Sequence, residues 1–417
     1  MIEKKEKIFL GVVALYIIIA LCFYTFNSPE NFIAEILVGG LIVLVMFIKS
    51  KKLYVGIREI LLIATVISWG IITEQVKFAL ATAILWFIYI YITKFLMYEG
   101  INRGIAEKLM WWIIITLTVG FTIHAVVVSI AFFSKINFFS FYDSVYRDVN
   151  YVACWDDLFC GCSIPRTQIT IFYVTVFVST LPLCISRTHP KYKVLIIGID
   201  IFLLYANICN LAGRLPFVIF FVVSALQVLI FIIEYKKEIK VLGKRKVFAG
   251  VLLVLLIFIC IYFVCKKNET VVKAVVSVVH RDGGILHNVR FKWQCEVLKN
   301  IFEYPLGVYP NNPQEVFGFS YTHNVWVDMA LFAGLIPFAC FFLYTVYSIV
   351  DVFCFLKYNA NIFLKMIVIG LYIGYVLIYM VEPAFYASVE FIVPWLIVNI
   401  IMCTYTKSAR IRLNTIT

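Results

Sequence analysis

Apolar runs of about 17–25 residues, each long enough to cross a bilayer as a helix, recur from one end of this sequence to the other. That pattern leaves the chain few options. In hydrocarbon every backbone polar group must be satisfied within the protein, which permits helix bundles and closed barrels. A barrel would read as short segments of alternating polarity, and these runs are continuous. The sequence therefore predicts an all-α polytopic membrane protein. Charged residues make up only 14% of the 417 residues and hydrophobic residues 63%, whereas soluble domains average roughly a quarter charged.

Twelve spans can be placed, at about 8–26, 32–48, 56–72, 77–97, 109–132, 168–186, 193–212, 215–233, 248–265, 324–349, 363–381 and 390–405. A net charge of +12 would suit a nucleic-acid binder. The basic residues, however, cluster at the ends of apolar runs, as the positive-inside rule requires. With the N-terminus inside, the inner segments are MIEKKEK, KSKK, EGINRGIAEK, SRTHPKYK, EYKKEIKVLGKRK, LKYNANIFLK and TKSARIRLNTIT. Counted with their helix ends, they hold 24 of the 36 Lys and Arg. Both termini are thus expected in the cytoplasm, and no nucleic acid is expected as a partner. The first run has no small-x-small cleavage site and reads as a retained helix.

Residues 1–417 read as a single integral membrane domain with two long external segments, 133–167 and 266–323. The second opens on the apolar VVKAVVSVV. An amphipathic helix is expected from about Asn288 to Tyr304, with Trp293, Val297 and Ile301 on one face at a spacing of four. Pro305 and Gly307 would end it. Trp293 reads as packing.

Most of the 12 cysteines lie within apolar runs, where Cys behaves as a small hydrophobe. In YVACWDDLFCGC, Cys154 with Cys160 or Cys162 is a candidate disulfide of an oxidising compartment. Asp156-Asp157 has no third ligand at a metal-binding spacing and reads as solvated loop. No metal or cofactor is expected. His124 and Asp200 fall inside predicted spans, where ionisable groups are costly and invite a functional reading. Structural pairing inside the bundle is an equal alternative.

The polar chemistry collects between Arg290 and Phe338. Arg290-x-x-Trp293, Pro305-Leu-Gly307, His323-Asn324 and Gly334-Leu-Ile-Pro337 together resemble the signature of the O-antigen ligase and polymerase superfamily, in which the pattern spans a large external loop and the helix after it. Arg214 in NLAGRLPF, at the external end of the seventh span, resembles an arginine that the family commonly carries. The motifs cover roughly residues 205–345, and the architecture covers the whole chain.

The resemblance implies metal-independent glycosyl transfer at the periplasmic face of the bacterial inner membrane, from a glycan on undecaprenyl pyrophosphate. A polymerase moves the growing chain onto the next lipid-linked repeat unit, and a ligase moves it onto lipid A–core. The implied partners are undecaprenyl-pyrophosphate-linked glycans and membrane lipids, with room for a chain-length regulator protein. A composition rich in Ile, Phe, Tyr, Lys and Asn leans toward a polymerase, because it suggests the AT-rich loci that encode such enzymes.

The chemistry of the residues fits. A departing pyrophosphate concentrates negative charge, which guanidinium groups bind in a bidentate fashion without losing their own charge. Arg214 and Arg290 suit that role, with Arg281 as a third cation. The attacking hydroxyl must lose its proton, and histidine titrates near neutral pH. His323 is the candidate base. Asn324 could orient the substrate or the histidine, and Asp328 could hold the other ring nitrogen. Each has a plainer alternative. Arg214 could snorkel to lipid phosphates, Arg290 could be a solvated charge, and His280 and His287 offer the same chemistry in the same loop. A lipid-linked oligosaccharide flippase is the reading from another class. It would gather its polar groups near the midplane, within repeated halves.

Overall fold

The computed structural model describes residues 4–23, 29–135, 154–156, 163–186, 190–206, 214–238, 289–358, 361–381 and 391–414. Fourteen α-helices order them. Helix α1 (Lys4–Tyr16) continues as a π-helical stretch, Ile17–Cys22. Then come α2 (Pro29–Ser50), α3 (Ile57–Ile72), α4 (Val76–Asn102), α5 (Ala106–Lys135), α6 (Arg166–Ile185), α7 (Pro190–Ala206) and α8 (Arg214–Glu238). The later helices are α9 (Val289–Lys299), α10 (Pro313–Phe317), α11 (Val325–Ala333), α12 (Leu335–Tyr358), α13 (Ile362–Tyr379) and α14 (Val393–Asn414). Before α6, β1 (Cys154–Asp156) pairs antiparallel with β2 (Ser163–Pro165), with Trp155 opposite Ile164.

Among the described residues, five helices are long and apolar enough to cross a membrane, over Ile33–Ser50, Val76–Asn102, Ala106–Ile130, Leu335–Lys357 and Ile362–Tyr379. Ile169–Ile185 and Val218–Glu234 are shorter apolar helices. By helix length and hydropathy this is a multi-pass membrane protein. Hydroxyl side chains on these helices bond back to carbonyls one turn earlier, as Thr175 does to Ile171 at 2.7 Å and Thr116 to Trp112 at 2.9 Å. Their polarity is thereby hidden from the apolar surroundings. The expected ninth span, 248–265, lies outside the described residues, as do Arg281, His280, His287, Asp157, Cys160 and Cys162. So does the second half of the candidate disulfide.

The bundle has two chemically different ends. At one, ion pairs join helices remote in sequence. Lys94 meets Glu59 at 2.7 Å, Lys365 meets Glu234 at 3.1 Å, and Arg58 pairs with Asp351. At the other end, the Tyr309 hydroxyl reaches Glu74 at 3.4 Å, which sets the 289–323 segment against the α3–α4 turn. His124 is fully buried, with Nδ1 against the Cys22 carbonyl and its ring stacked on Phe172. The π-helical stretch ends at that carbonyl, so pairing within the bundle is the arrangement found for His124. Asp200 is buried on α7, and its Oδ1 has no hydrogen-bond partner among the described residues.

One expectation is corrected. The apolar run 324–349 is not one helix. It breaks at Gly334, whose φ of 75° and ψ of −155° only glycine adopts easily. Helix α11 then doubles back along α12. Trp326 Nε1 donates to Thr345 Oγ1 at 2.8 Å, and the Trp326 ring lies 6.0 Å from that of Phe341. In a continuous helix, residues 19 apart in sequence would be separated by about 28 Å. The membrane-crossing segment therefore starts at Leu335, and α11 stands before it as the first arm of a helical hairpin.

Candidate active site

The 289–323 segment builds a small core of its own on that hairpin. Val297, Ile301, Val308 and Phe319 bury themselves against Val327, Ala330 and Leu331 of α11. The face predicted from the spacing of Trp293, Val297 and Ile301 is the one that α9 turns inward. Trp293 stacks on Phe319 at 5.0 Å, as packing. The helix is shorter than expected and stops at Lys299, with turns carrying the chain on to Pro305.

Two glycines let the backbones touch. Val308 N–H donates to Leu331 O and Leu335 N–H to Pro305 O, both at 2.9 Å. A Cβ on Gly334 would come within 2.1 Å of Pro305 O, and one on Gly307 within 2.5 Å of Phe332 C. Two of the motif elements, Pro305-Leu-Gly307 and Gly334-Leu-Ile-Pro337, are thus a single main-chain joint. It fixes the tip of the hairpin.

His323 lies at the other end of α11, at the foot of the hairpin. It is half-buried, and its φ is 59°, the left-handed region that costs a residue with a Cβ about 1–2 kcal/mol. The residues on both sides hold it there. Asp328 Oδ1 accepts from the Thr322 N–H at 2.6 Å and from the Thr322 hydroxyl at 2.8 Å. Gln294 of α9 donates to Thr322 O at 3.2 Å. On the far side, Asn324 caps α11, its Oδ1 accepting from Trp326 N–H at 3.1 Å and Val327 N–H at 3.2 Å. The Tyr321 ring stands edge-on to the imidazole at 4.6 Å.

Asp328 departs from expectation. Its bonds run to Thr322, one residue before the histidine, and so it fixes the backbone that carries His323. It sits on α11, outside the membrane-crossing segment. Burial pushes its carboxyl up to about 6, while hydrogen bonds from Thr322 and the Asn324 backbone pull the other way. Sequence reasoning missed Thr322 and Gln294. A Thr six residues before an Asp at the start of a helix was the available signal for the first, and nothing marked the second.

The C-terminal end of α13 brings the distant residues together. Arg290, exposed on the first turn of α9, donates to Val381 O at 3.2 Å. Asn324 Nδ2 reaches the adjacent Met380 O in a long bond of 3.5 Å. Arg290 and the His323-Asn324 pair therefore meet over consecutive carbonyls. Arg214 is the first residue of α8. That helix runs antiparallel to α13, because Ile219 lies 3.6 Å from where a Cβ on Gly374 would be and Gln227 bonds Met366 O at 3.0 Å. The same register carries Arg214 to the level at which α13 ends. Three of the five expected residues thus gather at one place, a fourth starts a helix at the same end, and Arg281 is not described. Among the described residues no three His, Cys, Asp or Glu side chains group as a metal site.

Compared with models of protein families and with curated proteins, the chain matches none.

Proposed function

We propose that this chain is a surface-polysaccharide polymerase of the O-antigen type, working from the periplasmic face of a bacterial inner membrane. In this reading it has twelve spans with both termini in the cytoplasm. It transfers a growing glycan from undecaprenyl pyrophosphate to the next lipid-linked repeat unit. The acceptor oxygen attacks the anomeric carbon, the bond from that carbon to the pyrophosphate breaks, and the electron pair leaves with the pyrophosphate. His323 takes the acceptor's proton. Arg290 and Arg214 bind the departing charge, with Arg281 as a further cation, and Asn324 positions the acceptor or the imidazole.

The observation that carries this reading is His323 itself. A histidine held in a costly backbone conformation, with clamps on both flanks and an arginine converging on the neighbouring carbonyls, is the kind of local strain that accumulates at functional sites. A positioned base of this type contributes about 10²–10⁴ in rate. The second reading is a ligase that delivers the glycan to lipid A–core, since the same constellation would serve either acceptor.

Deleting the gene and examining the lipopolysaccharide ladder separates the two. A core bearing a single repeat unit marks a lost polymerase. A bare core with long chains left on the lipid carrier marks a lost ligase. Complementation with His323→Ala and Arg290→Ala then tests the site. Both variants should fail to restore the ladder, and normal ladders from both at wild-type expression would dispose of the assignment.

A further inference from the structure

Four helices, α1, α2, α4 and α5, leave a cavity of about 220 Å³ at the ion-paired end of the bundle, opposite His323. Its walls are apolar, made by Phe9 and Leu10 of α1, Met46 of α2, and Phe95 and Leu96 of α4. Its mouth is ionic. Lys49 and Arg103 converge on Glu6, at 3.7 and 2.5 Å, and Arg103 also meets Glu99 at 3.3 Å. Lys5 lies on the same rim, which therefore carries three cations and two carboxylates. The Lys49 and Arg103 side chains remain 50% and 42% exposed.

The cavity opens sideways. Val45 lines it and is itself 52% exposed. Leu41 and Ile48 lie on the same stripe of α2 at helical spacing, 63% exposed each. An apolar stripe of this kind on a membrane helix faces hydrocarbon.

An apolar slot that opens on hydrocarbon and ends in a cationic rim is complementary to an acyl chain below a phosphate. Water is a poor occupant, because the walls offer it few partners. A free phosphate would use the rim and leave the walls bare. A zwitterionic headgroup would bring an ammonium toward three cations. Basic pockets between membrane helices suit acidic lipid headgroups for these reasons.

We propose that this cavity binds an anionic glycerophospholipid from the leaflet at the basic end, with its phosphate at Lys49 and Arg103 and an acyl chain between α1 and α2. Glu6 holds the two cations at a fixed separation before the lipid arrives. The site depends on the chain spanning a membrane and is independent of the glycosyl-transfer reading.

The test uses the full-length protein in an uncharged detergent, titrated in turn with phosphatidylglycerol, phosphatidylethanolamine and inorganic phosphate. Native mass spectrometry reads the bound lipid. Phosphatidylglycerol should be retained at a concentration at least roughly tenfold below that needed for phosphatidylethanolamine, and inorganic phosphate at equal concentration should not displace it. The double variant Lys49→Gln/Arg103→Gln should lose that discrimination. Val45→Trp, which fills the slot and keeps every rim charge, should lose phosphatidylglycerol as well. Equal retention of the two lipids by the wild type overturns the proposal, as does displacement by phosphate or undiminished binding to Val45→Trp. Should the double variant fail to fold, wild-type selectivity and Val45→Trp still decide.

Discussion

Replacing His323 in two ways separates its backbone from its imidazole. At φ of 59°, a side chain with a Cβ costs about 1–2 kcal/mol. His323→Ala keeps that cost and loses the ring, whereas His323→Gly loses both. Glycine brings its own penalty of about 0.4–1 kcal/mol, through the added freedom of the unfolded chain. The difference favours the glycine variant over the alanine variant by about 0.8 kcal/mol, taking the midpoints of the two ranges. In ordinary extended or helical backbone the sign is reversed, and glycine is the less stable by roughly 0.5–1 kcal/mol. The two cases are thus separated by more than 1 kcal/mol or so, enough to resolve in denaturant titrations of the purified variants in one detergent. Neither variant should restore the polysaccharide ladder, because both lack the proposed base. A glycine variant less stable than the alanine variant would mean that His323 does not hold a left-handed backbone, and the strain argument would go with it.

Asp328→Ala should lower stability by roughly 2–5 kcal/mol, because it strips the acceptor from two donors of Thr322, a fully buried residue. Asp328→Asn keeps one acceptor oxygen and should recover much of that loss in the same titration. Gly334→Ala should abolish a monodisperse gel-filtration peak, since its Cβ would lie 2.1 Å from Pro305 O with backbone on both sides; a normal peak would place the chain reversal elsewhere. A double-mutant cycle of Trp326→Phe with Thr345→Val should give a coupling of about 0.5–1.5 kcal/mol. Zero coupling would restore the single continuous helix.

Much of the fold could be read from hydropathy, and the residues explain where that stops. Helix α3 and the start of α4 fall within a residue of the expected spans, because Glu59 caps the Gly56 N–H at 2.7 Å and a short turn separates the runs, whereas α4 runs on past the expected end to Asn102. The hairpin escaped notice because VWVDMALFAGLIPF is apolar throughout. Hydropathy records what a segment avoids, not the direction in which its backbone runs. Gly334 stands out as a motif residue, but a reversal also needs the Pro305–Val308 backbone against it, which lies far earlier in the chain. His323, Asn324 and Arg290 stand out in the sequence through the motifs they belong to, since His280 and His287 offer the same chemistry in the same loop. The common anchor of Asn324 and Arg290 does not, because Met380 and Val381 contribute only carbonyl oxygens. Asp328 stands out by its charge, but its partner is Thr322 and not the imidazole, and a contact with a main-chain N–H leaves no mark in the sequence.

That anchor divides the joint into a side that mutation can remove and a side that it cannot. Every residue type at positions 380 and 381 supplies the same two oxygens, so drift there leaves the seat intact so long as α13 keeps its end. The donors have no such freedom. Arg290 can lose its guanidinium and Asn324 its amide through single codon changes, and each loss unfastens one edge of the segment between α9 and α11. Among descendants of this chain, variation at the seat and constancy in the two side chains resting on it is the pattern that such a one-sided fastening would leave.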